Sequence, residues 1–423
     1  MRVIVVGGGW AGCSAALSAK KQGAQVILME RTDMLLGTGL VGGIMRNNGR
    51  YTATEEMIAM SGGEIFQVID SNLLHKNIEF PGHKHASLYD VSTMEPVIRR
   101  FLISHDIQIE TCTRITEVEM DGNRIAFVIG KNEKEEIRFE ADAFIDTTGT
   151  AGPQGNCKKH GNGCAMCVLR CHSFGGRVSL AAKAGVKEIN GKKGDQLGAF
   201  SGSCKLNKES LAPSLLAELN RNGVAVIPLT VEQQQKGKLT LKACQQYALA
   251  DFEKNIILLN TGHAKLMTPY FPLQDLRDIP GLENARFEDP YSGGMGNSMR
   301  YFGMSPRDNA LMVEGVNNLF CAGEKAGSLV GHTEAICTGT LAGFNAVKLI
   351  SGKELLVLPE ESVLGYTIDY VRQQMQTPEG LGLKFTFSGS VLFERMKQKK
   401  MYSTDADAIK ERVKMAGLKG IFE

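Results

Sequence analysis

The apolar and polar positions at the start of the chain divide it into short segments of different character. Residues 3–6 are a run of valine and isoleucine, typical of a buried parallel strand, and residues 7–12 are rich in glycine. Residues 13–21 have an alanine-rich, helical composition, and a second apolar run over residues 26–29 ends at Glu30. The pattern predicts a strand, a turn, a helix and a second strand.

The glycines of the predicted turn have the spacing G-x-G-x-x-G, at Gly7, Gly9 and Gly12. The first permits a tight turn, the second lets the main chain approach a pyrophosphate, and the third lets helix and strand pack closely. Glu30 follows Gly12 by eighteen residues, where a carboxylate can accept hydrogen bonds from a ribose. Together with the adjacent Arg31, these residues predict a dinucleotide site. A purely structural glycine turn is the alternative.

A second motif of the same spacing, at Gly37, Gly39 and Gly42, has no β-branched strand before it. We therefore predict a flexible loop over residues 31–50, not a second nucleotide site. An irregular segment is expected at residues 80–91. Helices are expected at residues 54–60, 63–74 and 93–104.

Residues 107–146 alternate apolar and polar side chains in short runs. Asp121-Gly122-Asn123 is a hairpin-turn signal between two of these runs, so the segment predicts a small antiparallel meander. The last run, residues 143–146, enters Thr147-Thr148-Gly149 and is expected to return to the main sheet.

The sequence after residue 150 changes character twice. Residues 151–290 begin with clustered cysteines, carry amphipathic stretches and lack a strand-bounded glycine motif, which favours an inserted substrate or cap domain. Beyond residue 291 the glycines return, and residues 319–324 predict a short strand that ends in a turn. A helix is expected over residues 333–350. Its small residues form a stripe for close packing on a sheet: Gly339, Ala342, Gly343 and Ala346.

The predicted fold class is therefore α/β. A Rossmann-like dinucleotide-binding domain with a parallel sheet and an antiparallel meander is expected from residues 1–150 and 291–360. An inserted α+β domain is expected from residues 151–290, and a helical C-terminal segment from residues 361–423.

Composition narrows the functional classes only moderately. The chain carries 48 basic and 46 acidic residues, a balance that gives no general electrostatic case for nucleic acid or an anionic membrane. Residues 397–400 are basic, and we expect a solvated helix face there, with RNA contact as the less favoured alternative. We expect no membrane span and, because Met1 leads directly into the first strand, no signal peptide. Ten cysteines in such a chain favour a reducing, cytoplasmic location.

Four cysteines lie within fifteen residues with the spacing C-x6-C-x2-C-x3-C; they are Cys157, Cys164, Cys167 and Cys171. Four thiolates in such a run can hold a [4Fe–4S] cluster, and the neighbouring Lys158, Lys159 and Arg170 would offset its negative charge. A zinc site with the same ligands, a redox-active pair and unliganded thiols remain alternatives. The run begins eight residues after Gly149, so we expect it near the cofactor.

Three separated segments resemble the FAD-binding core of the glutathione-reductase-type flavoproteins. They are the opening unit, Asp146-Thr147-Thr148-Gly149, and Leu319-Phe320-Cys321-Ala322-Gly323-Glu324. The resemblance implies FAD as cofactor, with Gly149, Gly323 and Glu324 near its ribitol or phosphates. It also implies a helix N-terminus, near His332 and Thr333, directed at the flavin pyrimidine. Small residues of the 37–42 loop could then lie against the isoalloxazine.

The C-terminal part resembles the folate- and FAD-dependent tRNA uracil-5-methyltransferases and the glucose-inhibited division protein A relatives. The resemblance lies in residues 318–324, in Gly331-His332-Thr333-Glu334-Ala335 and in residues 339–346, and continues to about residue 370. Those methyltransferases usually carry glutamine where this chain has Glu324. They also carry a cysteine in the loop after the acidic ribose ligand, whereas residues 31–80 here contain none.

Other polar residues around the expected flavin are candidates for catalysis. His332 could act as a general acid, although a helix-end histidine satisfied by the main chain is as well supported. Arg300, Arg307 and Glu334 could bind an anionic substrate, or form ordinary ion pairs. Cys13, Cys321 and Cys337 are expected in the core. Cys204 and Cys244 are possible nucleophiles.

The sequence thus predicts an FAD-dependent oxidoreductase whose [4Fe–4S] cluster relays electrons to or from the flavin. A small-molecule substrate or a redox partner protein is expected, since no second strand-bounded glycine motif exists for a nicotinamide domain. The alternatives are a folate- and FAD-dependent RNA uracil-5-methyltransferase-like enzyme and a non-catalytic binding factor that carries flavin and zinc.

Overall fold

The computed structural model describes residues 1–150, 169–193, 196–197, 199–201, 204–237, 239, 245–267, 271–288, 298–300 and 302–423. A parallel sheet of five strands forms its centre. In spatial order the strands are β21 (Leu319–Cys321), β10 (Ala143–Asp146), β1 (Arg2–Val6), β2 (Gln25–Met29) and β6 (Gln108–Glu110).

The central strand β1 is buried on both faces, as a parallel sheet covered by helices requires. Val3, Ile4 and Val5 are 0% exposed. β1 pairs in parallel with β2 on one side and with β10 on the other, and β10 pairs with β21. The sheet therefore joins chain segments that lie more than 300 residues apart, and it brings the ends of β1, β10 and β21 to one edge.

Antiparallel sheets surround this centre among the described residues. The predicted meander is present as β7 (Arg114–Asp121), β8 (Arg124–Lys131) and β9 (Glu136–Glu140). A second sheet has the order β3 (Ile44–Met45), β5 (His83–Tyr89), β4 (Leu73–Phe80). A third has the order β15 (Cys204–Leu206), β18 (Ala264–Leu266), β17 (Asn255–Asn260), β16 (Val224–Pro228). Short pairs join β11 (Ile189–Asn190) to β20 (Gly303–Met304), β12 (Lys192–Lys193) to β13 (Gln196–Leu197), and β14 (Ala199–Ser201) to β19 (Ser298–Arg300).

Helices cover the sheets and form the C-terminal region. Those before residue 300 are α1 (Trp10–Lys21), α2 (Gly39–Gly42), α3 (Gly49–Ala59), α4 (Glu64–Asp70), α5 (Met94–Ser104), α6 (Cys171–Phe174), α7 (Leu180–Lys183), α8 (Pro213–Asn222), α9 (Asp251–Lys254) and α10 (Leu273–Arg277). Those after it are α11 (His332–Ile350), α12 (Val363–Gln374), α13 (Pro378–Gly382), α14 (Ser390–Gln398) and α15 (Ala406–Met415). Short 3₁₀ turns occur at Lys208–Ser210, Gln245–Tyr247 and Gly323–Ala326.

The glycines of the predicted small-residue stripe pack on helix α1, not on the sheet as expected. A Cβ at Gly339 would lie 2.2 Å from the Ala11 carbonyl oxygen, and one at Gly343 would lie 2.2 Å from that of Ala15. Only glycine permits this approach of two helix backbones.

The apolar side chains form separate clusters. The largest covers both faces of the parallel sheet. A second lies wholly within residues 204–287. A third packs the β3-β5-β4 sheet against β17 and the 245–247 turn, through Phe80, Leu88, Tyr247 and Ile257. The predicted division into domains at residues 150 and 291 stays a prediction.

The α/β fold class is confirmed, with its parallel sheet, its meander and its helical C-terminal region. Some local predictions are wrong. Residues 63–74 are not one helix, because α4 ends at Asp70 and β4 begins at Leu73. Residues 80–91 are not irregular, because Gly82 has a φ of +75° in a tight turn that leads into strand β5. No helix among the described residues is long and apolar enough to cross a membrane.

Candidate dinucleotide cleft

The first glycine turn has the geometry that its spacing predicts. Gly7 has a φ of +106°, and a Cβ there would lie 2.5 Å from the Thr147 carbonyl oxygen. A Cβ at Gly12 would lie 1.9 Å from the Gly7 carbonyl oxygen. Gly9 is the N-cap of α1 in extended conformation, so the free N–H groups of the first helical turn follow it directly.

Glu30 is buried at the end of β2, 8% exposed. Its Oε2 accepts a hydrogen bond from the Gly8 N–H (2.8 Å), and its Oε1 accepts one from the Thr32 N–H (2.8 Å). The two bonds fix the carboxylate beside the glycine turn. Each carboxylate oxygen has a further lone pair, so the group can still accept a hydrogen bond from a ribose.

Arginines lie around the same end of the cleft. Arg31 donates to the Gly175 carbonyl (2.7 Å), and Arg114 donates to that of Gly176 (3.3 Å). Burial lowers the pKa of Arg31 from its usual value, although the Glu30 charge opposes this. Arg177 donates to the Gly149 carbonyl (2.9 Å) and so closes the loop onto the sheet edge.

The ends of β10 and β21 meet beside the glycine turn. Thr150 donates a short hydrogen bond to Glu324. Gly149 and Gly323 have φ values of +68° and +63°, and the Gly323 N–H donates to the Thr338 hydroxyl (2.9 Å). Glu324 is therefore held at the sheet edge between β10 and α11.

A single cleft of about 1660 Å³, which includes the solvent at its mouth, joins these features to the N-terminus of α11. At one end, which we call the Glu30 end, its lining includes Glu30, Arg31, Thr113, Arg114 and Ile115. At the other, which we call the His332 end, its lining includes Gly42, Arg50, Gln246, Tyr247, Lys265 and His332.

His332 is the first residue of α11 and belongs to an aromatic cluster with Trp10 and Tyr89. Its ring centroid lies 6.2 Å from each of theirs. Tyr89 Oη donates to the Gly39 carbonyl (2.8 Å) and lies 3.4 Å from His332 Nδ1. Because the phenol proton is used on Gly39, Nδ1 is the donor in that contact, which leaves Nε2 as the acceptor nitrogen of a neutral imidazole.

The second glycine motif packs against this cluster as the short helix α2, so the expected flexible loop is wrong over residues 39–42. A Cβ at Gly39 would lie 2.4 Å from Trp10 Nε1, and one at Gly42 would lie 1.7 Å from His332 Cε1. The small residues there make room for aromatic side chains of the protein itself.

Glu334 does not have the position expected of a substrate ligand. It is 0% exposed, and it accepts hydrogen bonds from Arg50 Nε (3.2 Å), Thr386 Oγ1 (2.7 Å) and the Phe387 N–H (2.8 Å). It holds α3 and residues 386–387 on the start of α11. Arg50, its buried partner, is the member of the pair that lines the cleft.

The remaining predicted binding residues differ in their placement. Arg307 is 1% exposed and, among the described residues, donates to the main-chain carbonyls of Ala326, Asp308 and Ile368; burial lowers its pKa to about 10. Thr333 is 0% exposed and is not part of the cleft lining. Arg300 lies in strand β19, whose main chain pairs with β14.

Of the predicted metal ligands, Cys157, Cys164 and Cys167 lie outside the described residues. Cys171 begins helix α6 and is 5% exposed. It lies four residues before Gly175, whose carbonyl accepts the hydrogen bond from Arg31. Among the described residues, no group of three or more His, Cys, Asp or Glu side chains could hold a metal ion.

The other cysteines that the structure describes are mostly core residues, as expected. Cys13, Cys321 and Cys337 are 0% exposed, and burial raises the pKa of Cys13 and of Cys321 to about 12. Cys204 is buried in strand β15, and Cys244 lies outside the described residues.

Sequence reasoning missed Arg50, Gln246, Tyr247 and Lys265, all of which line the His332 end. They come from α3, a 3₁₀ turn and β18, and no spacing pattern links them. The one available signal was the isolated lysine in the apolar run Ala264–Leu266.

The chain's own residues fit a bound FAD. Gly7 and Gly12 let the strand and helix α1 pack closely, and Gly9 lines the cleft with no atom closer than 4.0 Å to a Cβ placed there. The N-terminus of α1 adjoins this open space, and the buried carboxylate of Glu30 has the sequence separation of a ribose ligand. Fold and site therefore define the class of protein: a flavoprotein-like α/β protein with a Rossmann-type dinucleotide cleft.

The comparisons with known proteins are more particular. Residues 2–152 match the family model described as FAD dependent oxidoreductase, and residues 272–354 match that of Glucose inhibited division protein A. GidA of Aquifex aeolicus has a similar structure in two crystal forms, with TM-scores of 0.62 and 0.63 and identities of 18% and 17%. These alignments cover 99% of this chain and 73% and 76% of the GidA chains, and they show the fold alone.

Two curated relatives are similar over short stretches. The methylenetetrahydrofolate–tRNA-(uracil-5-)-methyltransferase TrmFO of Exiguobacterium sp. is 38% identical over 99 residues, 23% of this chain and 21% of that protein. The tRNA uridine 5-carboxymethylaminomethyl modification enzyme MnmG of Chlorobaculum tepidum is 39% identical over 97 residues, 22% of this chain and 15% of that protein. The matches thus span about a fifth or less of these relatives, and they support an FAD-dependent flavoprotein that resembles GidA and TrmFO.

Proposed function

We propose that this protein is an FAD-dependent oxidoreductase with the adenosine of FAD at the Glu30 end and the flavin ring at the His332 end. The observation that carries the proposal is the single cleft that joins the glycine turn to the N-terminus of α11. FAD, when bound, supplies the capacity to accept and donate electrons in one- or two-electron steps.

Each part of the cleft has a role in this proposal. The glycine turn and the first turn of α1 bind the diphosphate through main-chain N–H groups. Glu30 accepts hydrogen bonds from the adenosine ribose, and Glu324 binds the ribitol side. Arg31, Arg114 and Arg177 hold the 175–177 loop over the cleft. The N-terminus of α11 stabilises negative charge at the ring end.

His332 is the proposed proton-handling group. Its Nδ1 is oriented by Tyr89, and its Nε2 is the acceptor atom in the neutral ring. A substrate acid bound at this end would give its proton to Nε2, and a product anion would receive one from the protonated imidazole. The substrate is a small molecule or a redox partner protein.

The first test is the flavin itself. Flavin released by heat from protein purified without added cofactor is separated by chromatography and counted per chain. We expect about one FAD per chain, and the bound flavin should be reduced by a donor such as NADH, NADPH or a reduced iron–sulfur protein. FMN, no flavin, or a flavin that no donor reduces would contradict the proposal.

We further propose that Cys157, Cys164, Cys167 and Cys171 bind a [4Fe–4S] cluster that relays electrons between the flavin and a partner. Their spacing in the sequence supports this, as does the position of Cys171 four residues before Gly175, whose carbonyl binds Arg31. Anaerobically purified protein should contain about four iron and four sulfide per chain. Stoichiometric zinc, or thiols without metal, would overturn the cluster. We also propose that the protein is located in the reducing cytoplasm.

A second candidate function is an RNA-modifying flavoenzyme that transfers a folate one-carbon unit to uracil. It is favoured by the named activities of the similar proteins TrmFO and MnmG. It needs a nucleophilic cysteine, which Cys204 or Cys244 would have to supply. Methyl-uridine formation on tRNA or rRNA, lost in Cys204→Ala or Cys244→Ala, would support it. Formation that both variants retain, or none at all, would exclude it.

A further inference from the structure

Residues 169–178, which we call the strap, cross the cleft beside its Glu30 end. Leu169, Arg177 and Val178 of the strap are part of the cleft lining. The strap is bonded on one side to the loop after β2, and on the other side Arg177 donates to the carbonyl of Gly149, which follows β10. Because β1 lies between β2 and β10 in the sheet, the strap passes over the edge at which the glycine turn leaves β1.

An ion pair joins the strap to the loop after β2. Arg170 Nη1 donates to both carboxylate oxygens of Asp33, at 2.7 and 2.5 Å. Farther along the strap, Arg31 donates to the Gly175 carbonyl (2.7 Å). The Arg170 and Asp33 side chains are 41% and 45% exposed, so this ion pair is a part of the attachment that water and salt can reach.

The backbone of the strap is strained at the same place. Arg170 has a φ of +50° and a ψ of +54°, the left-handed conformation, directly before the short helix α6. Gly175, with a φ of +76°, follows the helix. Glycine adopts this conformation without a penalty, whereas a residue with a Cβ does not. The ion pair with Asp33 therefore holds Arg170 in a conformation that opposes it.

Apolar packing contributes little to holding the strap. Within residues 169–178 only Cys171 and Gly176 are buried, whereas Arg170, His172 and Ser173 are exposed. Segments with few buried apolar side chains and exposed polar attachments open at a lower free-energy cost than the core. The strap thus belongs to the parts of the fold that can open without unfolding the sheet beneath them.

We propose that the strap is a gate for FAD and that the Asp33–Arg170 ion pair holds it closed. When the ion pair breaks, the strap moves away from the sheet edge and opens the path to the glycine turn. When it forms, the strap closes over the adenosine and the diphosphate. Neither Asp33 nor Arg170 is part of the cleft lining, so the pair acts on the strap and not on FAD. The proposal rests on the proposed FAD function.

A fixed clamp is the competing interpretation, and kinetics separate it from a gate. Loss of a clamp weakens the bound state, so dissociation becomes faster, association is unchanged and Kd rises. An ion pair that closes the strap in the free and in the loaded protein slows both directions equally. Its loss should therefore speed association and dissociation by the same factor and leave Kd nearly unchanged.

The test measures both rate constants. Association is followed by flavin fluorescence after apoprotein is mixed with FAD in a stopped-flow instrument. Dissociation is followed after holoprotein is mixed with an excess of apo-glucose oxidase, which traps the released FAD. Asp33→Asn, Arg170→Gln and the charge-swapped double variant Asp33→Arg/Arg170→Asp are compared with wild type. Lys131→Gln is the matched control, because it breaks an exposed ion pair with Glu136 on the meander.

Asp33→Asn and Arg170→Gln should each raise both rate constants about five-fold, the upper range for an exposed ion pair. The two variants change the net charge in opposite directions, so altered attraction of the anionic FAD would shift association in opposite senses. The charge-swapped double variant re-forms the pair and should restore the rates of wild type. High salt should speed dissociation from wild type but not from the single variants.

Three results would overturn the gate. They are opposite shifts in the two single variants, an increase confined to dissociation, and rates in both single variants that equal those of wild type and Lys131→Gln. A wild type that binds no FAD would overturn the proposed function instead. The two failures are therefore distinct, because the gate is measured only on protein that has been shown to bind FAD.

Discussion

The two ends of the cleft are built in different ways. The Glu30 end comes from two continuous stretches, residues 1–32 and 113–115, and beside the glycine turn its shape depends on glycines and main-chain hydrogen bonds. The His332 end is assembled from side chains of α3, the 245–247 turn, β18 and α11, which lie far apart in the sequence. One end thus depends on the absence of side chains, and the other on ion pairs and rings that only the tertiary fold brings together.

The largest effect is expected at the Glu30 end, from Gly12→Val. Its Cβ would lie 1.9 Å from the Gly7 carbonyl oxygen, and neither backbone can move away without separating α1 from β1. We expect loss of bound FAD and of most folded protein, measured by flavin absorbance per chain and by yield. The control is Gly382→Ala, where a Cβ meets nothing within 4 Å. Normal flavin content in Gly12→Val would contradict the role of this turn.

At the His332 end, Arg50→Met should be the most damaging single change. It leaves Glu334 as a buried charge without its partner, which costs about 3–5 kcal/mol in the free energy of unfolding. Urea denaturation measures the loss. Arg138→Met is the matched control, since Arg138 pairs with Glu140 at a surface site where the side chains are 56% and 61% exposed. The loss of unfolding free energy in Arg138→Met should stay below about 1 kcal/mol. Equal losses in the two variants would show that burial of the Arg50–Glu334 pair is not the cause.

The same helix α3 makes the stability of the folded chain depend on pH through Glu56, which lies outside the cleft lining. Burial raises the pKa of Glu56 to about 7, against the opposing effects of Arg412 and the Val363 N–H. The folded protein therefore binds a proton that the unfolded chain releases at lower pH. This contribution to stability is complete below about pH 4.5, the usual carboxyl value, and is lost as the pH rises through 7.

The expected size of the Glu56 effect is about 3 kcal/mol over that range. Unfolding free energies of wild type and Glu56→Gln, measured from pH 5 to 8, should diverge in slope, with the flatter curve in Glu56→Gln. Parallel curves would show that another group titrates.

The smallest effect is expected from Glu30→Gln. The amide keeps one acceptor oxygen but loses the charge that strengthens hydrogen bonds to the ribose, so FAD affinity should fall by about 10-fold. Titration of apoprotein measures the change, with Glu119→Gln on the exposed side of the meander as control. An unchanged dissociation constant would mean that the ribose lies elsewhere.

The contrast between the ends also explains what the sequence could predict. Gly7, Gly9, Gly12 and Glu30 depend on local geometry, so their spacing was sufficient to predict the turn and the carboxylate beside it, whereas their binding of a dinucleotide stays a prediction. The meander was predictable for the same reason, from a two-strand pattern around Asp121-Gly122-Asn123.

The residues of the His332 end could not be predicted from their spacing in the sequence. Glu334 and Arg50 are 284 residues apart, and only the fold shows that the two side chains form an ion pair. Arg307 was a candidate binding residue because it borders the segments expected around the flavin, yet its guanidinium donates to carbonyls of the 323–326 turn and α12. The stripe at Gly339 and Gly343 was found correctly, but its partner is the helix α1 that begins the chain.

The contact of Gly339 and Gly343 with Ala11 and Ala15 has a consequence for synthesis. The helix that carries the first glycine turn packs on a helix that the ribosome completes only at residue 350. Until then the first thirty residues lack both α11 and the neighbouring strand β21, and their apolar faces stay open. Such long-range closure is slow and exposes a nascent chain to aggregation. The cofactor end that is encoded first is therefore among the last parts of the molecule to be finished.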